Sequence, residues 1–310
     1  MRLQYNYSND RSIYDCHLFP MKPSRSEFIK VRGLNTHVRH WGDPAAPMLF
    51  MMHGWMDVSA SFQFVVDCLK RDWHVVAADW RGFGRTDGSG ADSYWFLDYL
   101  GDLDAILQHY SPHEPVALLG HSMGANVVTI YAGVRPERVR RLINLEGFGM
   151  PTTTPDQAPG RYAKWLDELR APAELRGYPT QAAVASRLQK TNPRLTDARA
   201  GFLSGHWAAP DDAGNWRILG DPAHKLSSPV LYRVEEVLAC WKRIEAPVLW
   251  VEAAQTDVWC WMGPKEKARI EIDRRIACLP QVRTEMIEDA GHMLHHDQPE
   301  VLAQLIEDFL

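Results

Sequence analysis

The chain lacks the sequence features expected of a protein with a cysteine-ligated metal site, a disulfide framework or a membrane-spanning helix. Its five cysteines are odd in number and widely spaced, without a C-x-x-C pair, so neither a zinc knuckle nor a disulfide framework is predicted. No apolar run reaches the roughly 18 residues that a membrane-spanning helix requires. The opening residues 1–20 have no apolar segment of the secretory-signal kind. We therefore expect reduced thiols and a cytoplasmic protein.

The chain also lacks an excess of positive charge. The 310 residues include 34 Lys and Arg against 39 Asp and Glu, giving a formal net charge of -5, and no basic stripe is visible. This balance argues against a nucleic-acid partner. We expect a small-molecule substrate, no nucleic-acid or membrane partner, no cofactor, and a monomer or a homodimer. With 45% apolar residues, the chain can form one large domain with an insertion, or two domains.

Strand-like and helix-like segments alternate along most of the chain. Residues 48–52 form a continuous apolar run, which is typical of a strand buried on both faces. Repeated β-α-β alternation predicts an α/β fold with a mostly parallel sheet and helices on both faces. The predicted strands are 28–31 and 37–41 (an antiparallel pair), 48–52, 74–78, 116–119, 139–145, 247–251 and 282–287.

The alternation stops near residue 150. Residues 151–160 are rich in Pro and Thr, and the following segment has amphipathic helical windows but no buried-strand run until residue 247. We predict an irregular arm at 1–26, a core formed by 27–150 and 243–310, and a mainly helical cap at 151–242. This insertion is expected to lie over the carboxyl ends of the strands.

The segment Gly120-His121-Ser122-Met123-Gly124 carries the clearest chemical signal. It follows an apolar strand-like run and precedes a helix-like one, which is the context of a nucleophile elbow. The serine backbone is strained in such a turn, and small residues two positions away on each side let strand and helix approach closely. Ser122 is therefore the predicted nucleophile.

A serine nucleophile needs a base and an acid that orients the base. In this architecture the order along the chain is serine, acid, histidine, and His292 follows the last predicted strand with Gly291 before it. Two carboxylates follow strand ends, Asp257 and Glu146, and either could reach the histidine. We prefer Asp257 and keep Glu146 as the alternative.

Other residues are expected around this chemistry. A tetrahedral oxyanion needs two preorganised donors, each worth roughly 3 kcal/mol, and we expect them to be the backbone N–H groups of Met123 and Trp55. His295 and His296 suggest a metal cluster with His292, but no carboxylate or cysteine set completes it, so no metal site is predicted. The residues expected to line the substrate pocket are His53, Gly54, His121 and Trp259.

Taken together, these motifs resemble the α/β-hydrolase family, in its capped, single-domain serine hydrolase form. The resemblance covers about residues 28–150 and 243–310 and implies that Ser122 is the nucleophile, His292 the base, and Trp55 and Met123 the oxyanion donors. Two departures concern the acid: Ala254 stands where a glycine is usual in the loop before Asp257, and Glu146 occupies a position that some relatives use. The motifs that carry the resemblance are residues 53–55, 79–86, 120–124 and 291–292.

The resemblance also narrows the chemistry. Epoxide hydrolases and haloalkane dehalogenases of this family attack with aspartate, so Ser122 argues against both. The implied activity is carboxylesterase-like hydrolysis of an ester, lactone or thioester through an acyl-enzyme. A carbon–carbon bond hydrolase or a cofactor-free perhydrolase with the same triad is the alternative, and a non-catalytic ligand sensor a remote one. Tryptophans in the insertion and near the site favour a small, largely apolar substrate.

Overall fold

A computed structural model describes residues 21–171 and 174–310. Its strands are β1 (Ser24–Val31), β2 (Leu34–Trp41), β3 (Met48–Met52), β4 (His74–Ala78), β5 (Val116–His121), β6 (Val139–Leu145), β7 (Gly177–Tyr178), β8 (Ala208–Pro210), β9 (Trp216–Ile218), β10 (Val248–Ala253) and β11 (Val282–Ile287). Its helices are α1 (Gln63–Cys68), α2 (Phe96–Tyr110), α3 (Met123–Val134), α4 (Ala158–Arg170), α5 (Gln181–Thr191), α6 (Asp197–Trp207), α7 (Val234–Trp241), α8 (Trp259–Met262), α9 (Lys265–Ile276), α10 (Leu294–Asp297) and α11 (Pro299–Phe309).

Eight strands of the described residues form the main sheet, in the order β1-β2-β4-β3-β5-β6-β10-β11. The pairs of β2 with β1 and β4 are antiparallel, and the remaining pairs are parallel. The predicted mostly parallel sheet is confirmed. Most of the predicted arm, residues 1–20, lies outside the described residues; the sheet includes part of the rest, because Ser24 pairs with Trp41.

Apolar side chains project from both faces of the sheet into buried clusters. This explains the continuous apolar runs in the sequences of the strands. In β5, Leu118 packs into one buried cluster and Leu119 into the other. In β6, Leu142 and Ile143 divide in the same way. One cluster includes residues of α2, α3 and α7, and the other includes residues of α1 and α11. Because these strands run parallel, their carboxyl ends lie at a single edge of the sheet, and burial on both faces is typical of parallel strands.

The insertion is mainly helical, as predicted, with α4, α5 and α6. It also contains a small antiparallel sheet in the order β7-β9-β8. Those strands are two or three residues long, too short to show an alternating pattern.

Helix α7 packs in the main core through Leu238 and Trp241, and a Cβ on Gly133 of α3 would lie 1.9 Å from the carbonyl oxygen of Cys240. This packing favours a boundary before Val234 rather than after residue 242.

Two findings bear on the membrane and redox expectations. Within residues 21–171 and 174–310, no helix has the length and apolar character needed to cross a membrane. Among the described cysteines, Cys240, Cys260 and Cys278 are free thiols, and Cys16 lies outside the described residues.

Candidate active site

Ser122 occupies a sharp turn between β5 and α3. Its backbone has φ 51° and ψ -114°, a left-handed conformation that strains a residue with a side chain by about 1–3 kcal/mol. A Cβ on Gly124 would lie 2.2 Å from the carbonyl oxygen of Met52, and one on Gly120 would lie 2.5 Å from the backbone nitrogen of Ala125. The two glycines are therefore needed for the close approach that presents the serine hydroxyl.

The loop after β11 brings His292 to this hydroxyl. The distance from His292 Nε2 to Ser122 Oγ is 2.9 Å. The carbonyl oxygen of His292 accepts a hydrogen bond from His121 Nε2 at 2.8 Å, and the N–H of Gly291 donates to Asp297 at 2.8 Å. The structure thus joins two residues that lie 170 positions apart, and backbone hydrogen bonds on either side hold the imidazole in place.

The carboxylate that contacts His292 is Glu146. Its Oε2 lies 3.1 Å from His292 Nδ1, it accepts a hydrogen bond from the hydroxyl of Thr256, and its Oε1 accepts one from the N–H of Ala253 at 2.7 Å. The preferred acid of the sequence analysis, Asp257, is exposed and does not make this contact. We therefore correct the predicted order of preference: the geometry favours Glu146.

Burial sets the electrostatics of this pair. It raises the pKa of the Glu146 carboxyl, although the hydrogen bonds from Thr256 and Ala253 act in the opposite direction. Burial lowers the pKa of His292, and the charge of Asp257 raises it. A neutral imidazole can accept the proton of Ser122, and a nearby carboxylate with a raised pKa is a strong acceptor for the imidazolium that forms.

The sheet register explains why Glu146 rather than Asp257 reaches the histidine. His121, the last residue of β5, is level with Leu145, the last residue of β6, so the next residues, Ser122 and Glu146, emerge side by side. Glu146 has φ 58°, which marks a sharp turn at the strand end. Asp257 comes four positions after β10 ends, beyond a turn. Strand register depends on the folded chain and cannot be seen in the sequence. The position of Glu146 directly after a predicted strand was nevertheless a signal that could have favoured it.

The loop after β3 lies against the nucleophile. A Cβ on Gly54 would lie 3.2 Å from the Cβ of Ser122, so only glycine leaves this space free. Met123 is the first residue of α3, and its N–H has no acceptor within the helix because the first turn lacks one. Trp55 follows Gly54 with an exposed side chain. Both expected oxyanion donors thus belong to segments that adjoin the serine.

Two of the residues expected to line the pocket are buried instead. His53 accepts a hydrogen bond from the N–H of Trp80 at 2.9 Å, and its own carbonyl accepts one from the Trp80 indole at 2.9 Å. His121 is bonded to the His292 carbonyl. Both side chains are almost fully buried, so we correct this expectation: neither lines an open pocket, and their hydrogen bonds hold the loops around the serine.

One tryptophan ring contacts the proposed base. The ring of Trp261 meets that of His292 edge to face with centroids 5.0 Å apart, and Trp261 and Trp55 are 52% and 53% exposed. Trp259 packs partly against the core, and the ammonium of Lys265 lies 5.5 Å from its ring centroid. Trp261, rather than Trp259, is thus the tryptophan of α8 that contacts the histidine.

The insertion also contacts the loop after β3. The indole N–H of Trp207, at the end of α6, donates to the carbonyl oxygen of Met56 at 2.6 Å. Met56 has φ 54°, another left-handed backbone that the surroundings must hold in place. A side chain of the insertion therefore stabilises the strained residue that directly follows Trp55.

Comparisons with known proteins identify a family match and several similar proteins. Residues 47–299 match the family described as alpha/beta hydrolase fold. A serine hydrolase-like protein of Danio rerio is 26% identical over 280 residues, 87% of this chain and 83% of that protein. A 3-hydroxybutyrate-oligomer hydrolase of Cupriavidus necator is 28% identical over 244 residues, 74% of this chain and 80% of that protein. A thioesterase domain from the curacin biosynthetic pathway superposes with a TM-score of 0.81 at 26% identity, covering 92% of this chain and 99% of that domain.

Proposed function

Because the chain belongs to the α/β-hydrolase fold family, we propose that it is a serine hydrolase that cleaves a carboxylic ester, lactone or thioester through an acyl-enzyme. The observation that carries the proposal is the hydrogen-bonded series Ser122–His292–Glu146. A hydroxyl, an imidazole and a carboxylate in this order form a charge-stabilised general base, which is how a serine becomes nucleophilic near neutral pH.

The proposed reaction has two halves. Ser122 Oγ attacks the carbonyl carbon while His292 Nε2 takes its proton, and Glu146 stabilises the resulting imidazolium through Nδ1–H. The backbone N–H groups of Trp55 and Met123 bind the oxyanion. His292 returns the proton to the leaving alcohol or thiol as the bond to the acyl carbon breaks. Water then repeats the sequence on the acyl-enzyme and releases the carboxylic acid.

Two observations support an apolar acyl substrate. Two similar proteins, a thioesterase domain and a 3-hydroxybutyrate-oligomer hydrolase, are by name hydrolases of acyl bonds. The exposed ring of Trp261 contacts that of His292, and Trp55 is exposed in the loop after β3, so both offer apolar area to a bound acyl or alcohol group. We propose that residues 151–233 act as a cap that helps to select this group.

Covalent trapping tests the proposal directly. Wild-type protein treated with a fluorophosphonate should gain one adduct, which peptide mapping should locate on Ser122, and hydrolysis of p-nitrophenyl butyrate should decline in parallel with labelling. A set of p-nitrophenyl esters and acyl thioesters of increasing chain length would define the acyl preference. Absence of both labelling and turnover, or labelling of a different serine, would contradict the proposed mechanism.

The insertion should influence turnover through Trp207. Trp207→Phe removes the hydrogen bond to Met56 but keeps an aromatic ring. The loop that contains Trp55 should then be held less firmly, and the Trp55 N–H should be positioned less accurately for the oxyanion. We expect kcat to fall by about 10-fold, equivalent to about 1.4 kcal/mol, with little change in KM. Trp216→Phe, in the same apolar cluster of the insertion, is the matched control. A raised KM with unchanged kcat would indicate substrate contact instead.

The pH dependence should report on His292. Burial lowers the pKa of its imidazole below the ordinary value of 6.5, so the neutral, base-competent form is present at pH 7 and is lost as the pH falls through that pKa. We expect kcat/KM to have an acidic limb with a midpoint below pH 6.5. Asp257→Asn should move the limb to lower pH, because the Asp257 charge raises this pKa. A wild-type midpoint above pH 7 would contradict the expectation.

A further inference from the structure

Three buried side chains converge beside the proposed active site but outside its hydrogen-bonded series. They are Asp57 from the loop after β3, His121 from the end of β5 and His295 from α10, and they are 8%, 1% and 0% exposed. Each offers one ligand atom, and these atoms all lie within 4.8 Å of one another. Side chains of this kind are rarely fully buried together without a shared partner.

Two of the facing atoms are acceptors without donors. Among the described residues, neither Asp57 Oδ2 nor His121 Nδ1 has a hydrogen-bond partner, although both are buried. The tautomer of His121 is fixed because Nε2 donates to the carbonyl oxygen of His292, which leaves a lone pair on Nδ1. A buried unsatisfied acceptor costs about 1–3 kcal/mol. A species that attracts lone pairs is therefore needed between the two atoms.

His295 supplies the third group. Its Nε2 lies 3.7 Å from Asp57 Oδ2 and 2.9 Å from Ser61 Oγ, and its Nδ1 has no partner among the described residues. Both imidazoles are almost fully buried, and neutral imidazole is the form that binds metal ions.

We propose that Asp57, His121 and His295 bind a divalent transition metal ion of the zinc class. Two imidazoles and one carboxylate are a donor set that suits Zn²⁺ and related ions and leaves a fourth position open. Bonds of about 2.0–2.1 Å place tetrahedral ligand atoms about 3.3 Å apart. The ligand atoms all lie within 4.8 Å of one another, so no pair must close by more than about 1.5 Å, which small side-chain rotations can supply.

The proposal differs from the sequence expectation of no metal site, because the missing carboxylate comes from a distant loop. It does not depend on the proposed hydrolysis. An ion bound here would join the loop after β3, the strand that leads into Ser122, and the helix that follows His292. Because binding to the folded state alone stabilises that state, occupancy should also raise the melting temperature.

Cobalt substitution provides a readout that does not involve activity. EDTA-treated wild-type protein titrated with Co²⁺ should develop visible absorption of a four- or five-coordinate site with an end point of one ion per chain. Zn²⁺ should abolish the absorption by competition and raise the melting temperature. Asp57→Asn and His295→Gln should each weaken Co²⁺ binding by about 100-fold or more, since even an outer-shell partner of a metal ligand is worth about 10- to 100-fold.

A substitution of a different buried histidine tests whether Co²⁺ binding is specific to the proposed site. His74→Gln removes a member of another buried histidine pair, whose rings stack with centroids 5.2 Å apart, and it should bind Co²⁺ as the wild type does. Circular dichroism and melting of the metal-free variants verify folding. Failure of folded wild-type protein to bind one Co²⁺, as expected if only a water molecule bridges the acceptors, would overturn the proposal. Wild-type affinity in folded Asp57→Asn or His295→Gln would also overturn it.

Discussion

Ser122→Ala should lower kcat/KM for ester hydrolysis by about 10⁵- to 10⁶-fold, because loss of the nucleophile disables the whole triad and leaves only the contribution of the oxyanion donors. The substitution keeps the Cβ, so the strained backbone at φ 51° and the surrounding packing should not change. The measurement is steady-state hydrolysis of the best ester or thioester found with the wild type, with active-site labelling as a parallel readout.

A serine elsewhere provides the control for Ser122. Ser89→Ala changes an exposed serine in the loop before α2, and its kcat/KM should remain within about twofold of the wild type, as for most surface substitutions. Melting curves of both variants should superpose on that of the wild type. Retention of wild-type turnover by a folded Ser122→Ala protein would rule out the proposed acyl-enzyme.

Glu146→Gln should lower kcat by about 10⁴-fold, the magnitude seen when the triad carboxylate becomes an amide. The amide keeps the size of the side chain, and its oxygen can still accept from Thr256 or Ala253. It cannot provide a full negative charge for the imidazolium of His292. If its NH₂ group faces Nδ1, it favours the histidine tautomer that is protonated on Nε2, which cannot accept the proton of Ser122. Rates should be measured near pH 8, where His292 is neutral in the wild type.

Asp257→Asn is the counterpart that discriminates between the two carboxylates. Its side chain is exposed and acts on His292 only through its charge, which water and salt screen. We expect its kcat to stay within about threefold of the wild type at pH 8, with the acidic limb displaced as described above. If Asp257→Asn abolished turnover and Glu146→Gln did not, the original preference for Asp257 would be restored.

Local pattern was sufficient for much of the architecture. Continuous apolar runs such as 48–52 predicted strands buried on both faces, and the structure gives β3 those bounds. The glycines around Ser122 predicted a tight turn between strand and helix, and their missing Cβ atoms prove necessary there. These features depend on neighbours along the chain, where burial, periodicity and backbone sterics act within a few residues.

Contacts between distant segments required the tertiary structure. The insertion was predicted to extend to residue 242, but α7 packs in the main core through Trp241. An amphipathic helix shows that it has an apolar face without showing which surface covers that face. The strands of the insertion, two or three residues long, are too short to show an alternating pattern in the sequence, and only their pairing identifies them.

Residue types within one short segment are enough to predict the strand–helix alternation, the sharp turn at Ser122 and the position of His292 after the last strand. The contact of Glu146 with His292, and the approach of Asp57 to His121 and His295, depend on how distant segments pack. For Glu146 the cause is strand register, because the level ends of β5 and β6 place residues 122 and 146 side by side. Hydrogen bonding between strands sets that alignment, and no local pattern encodes it.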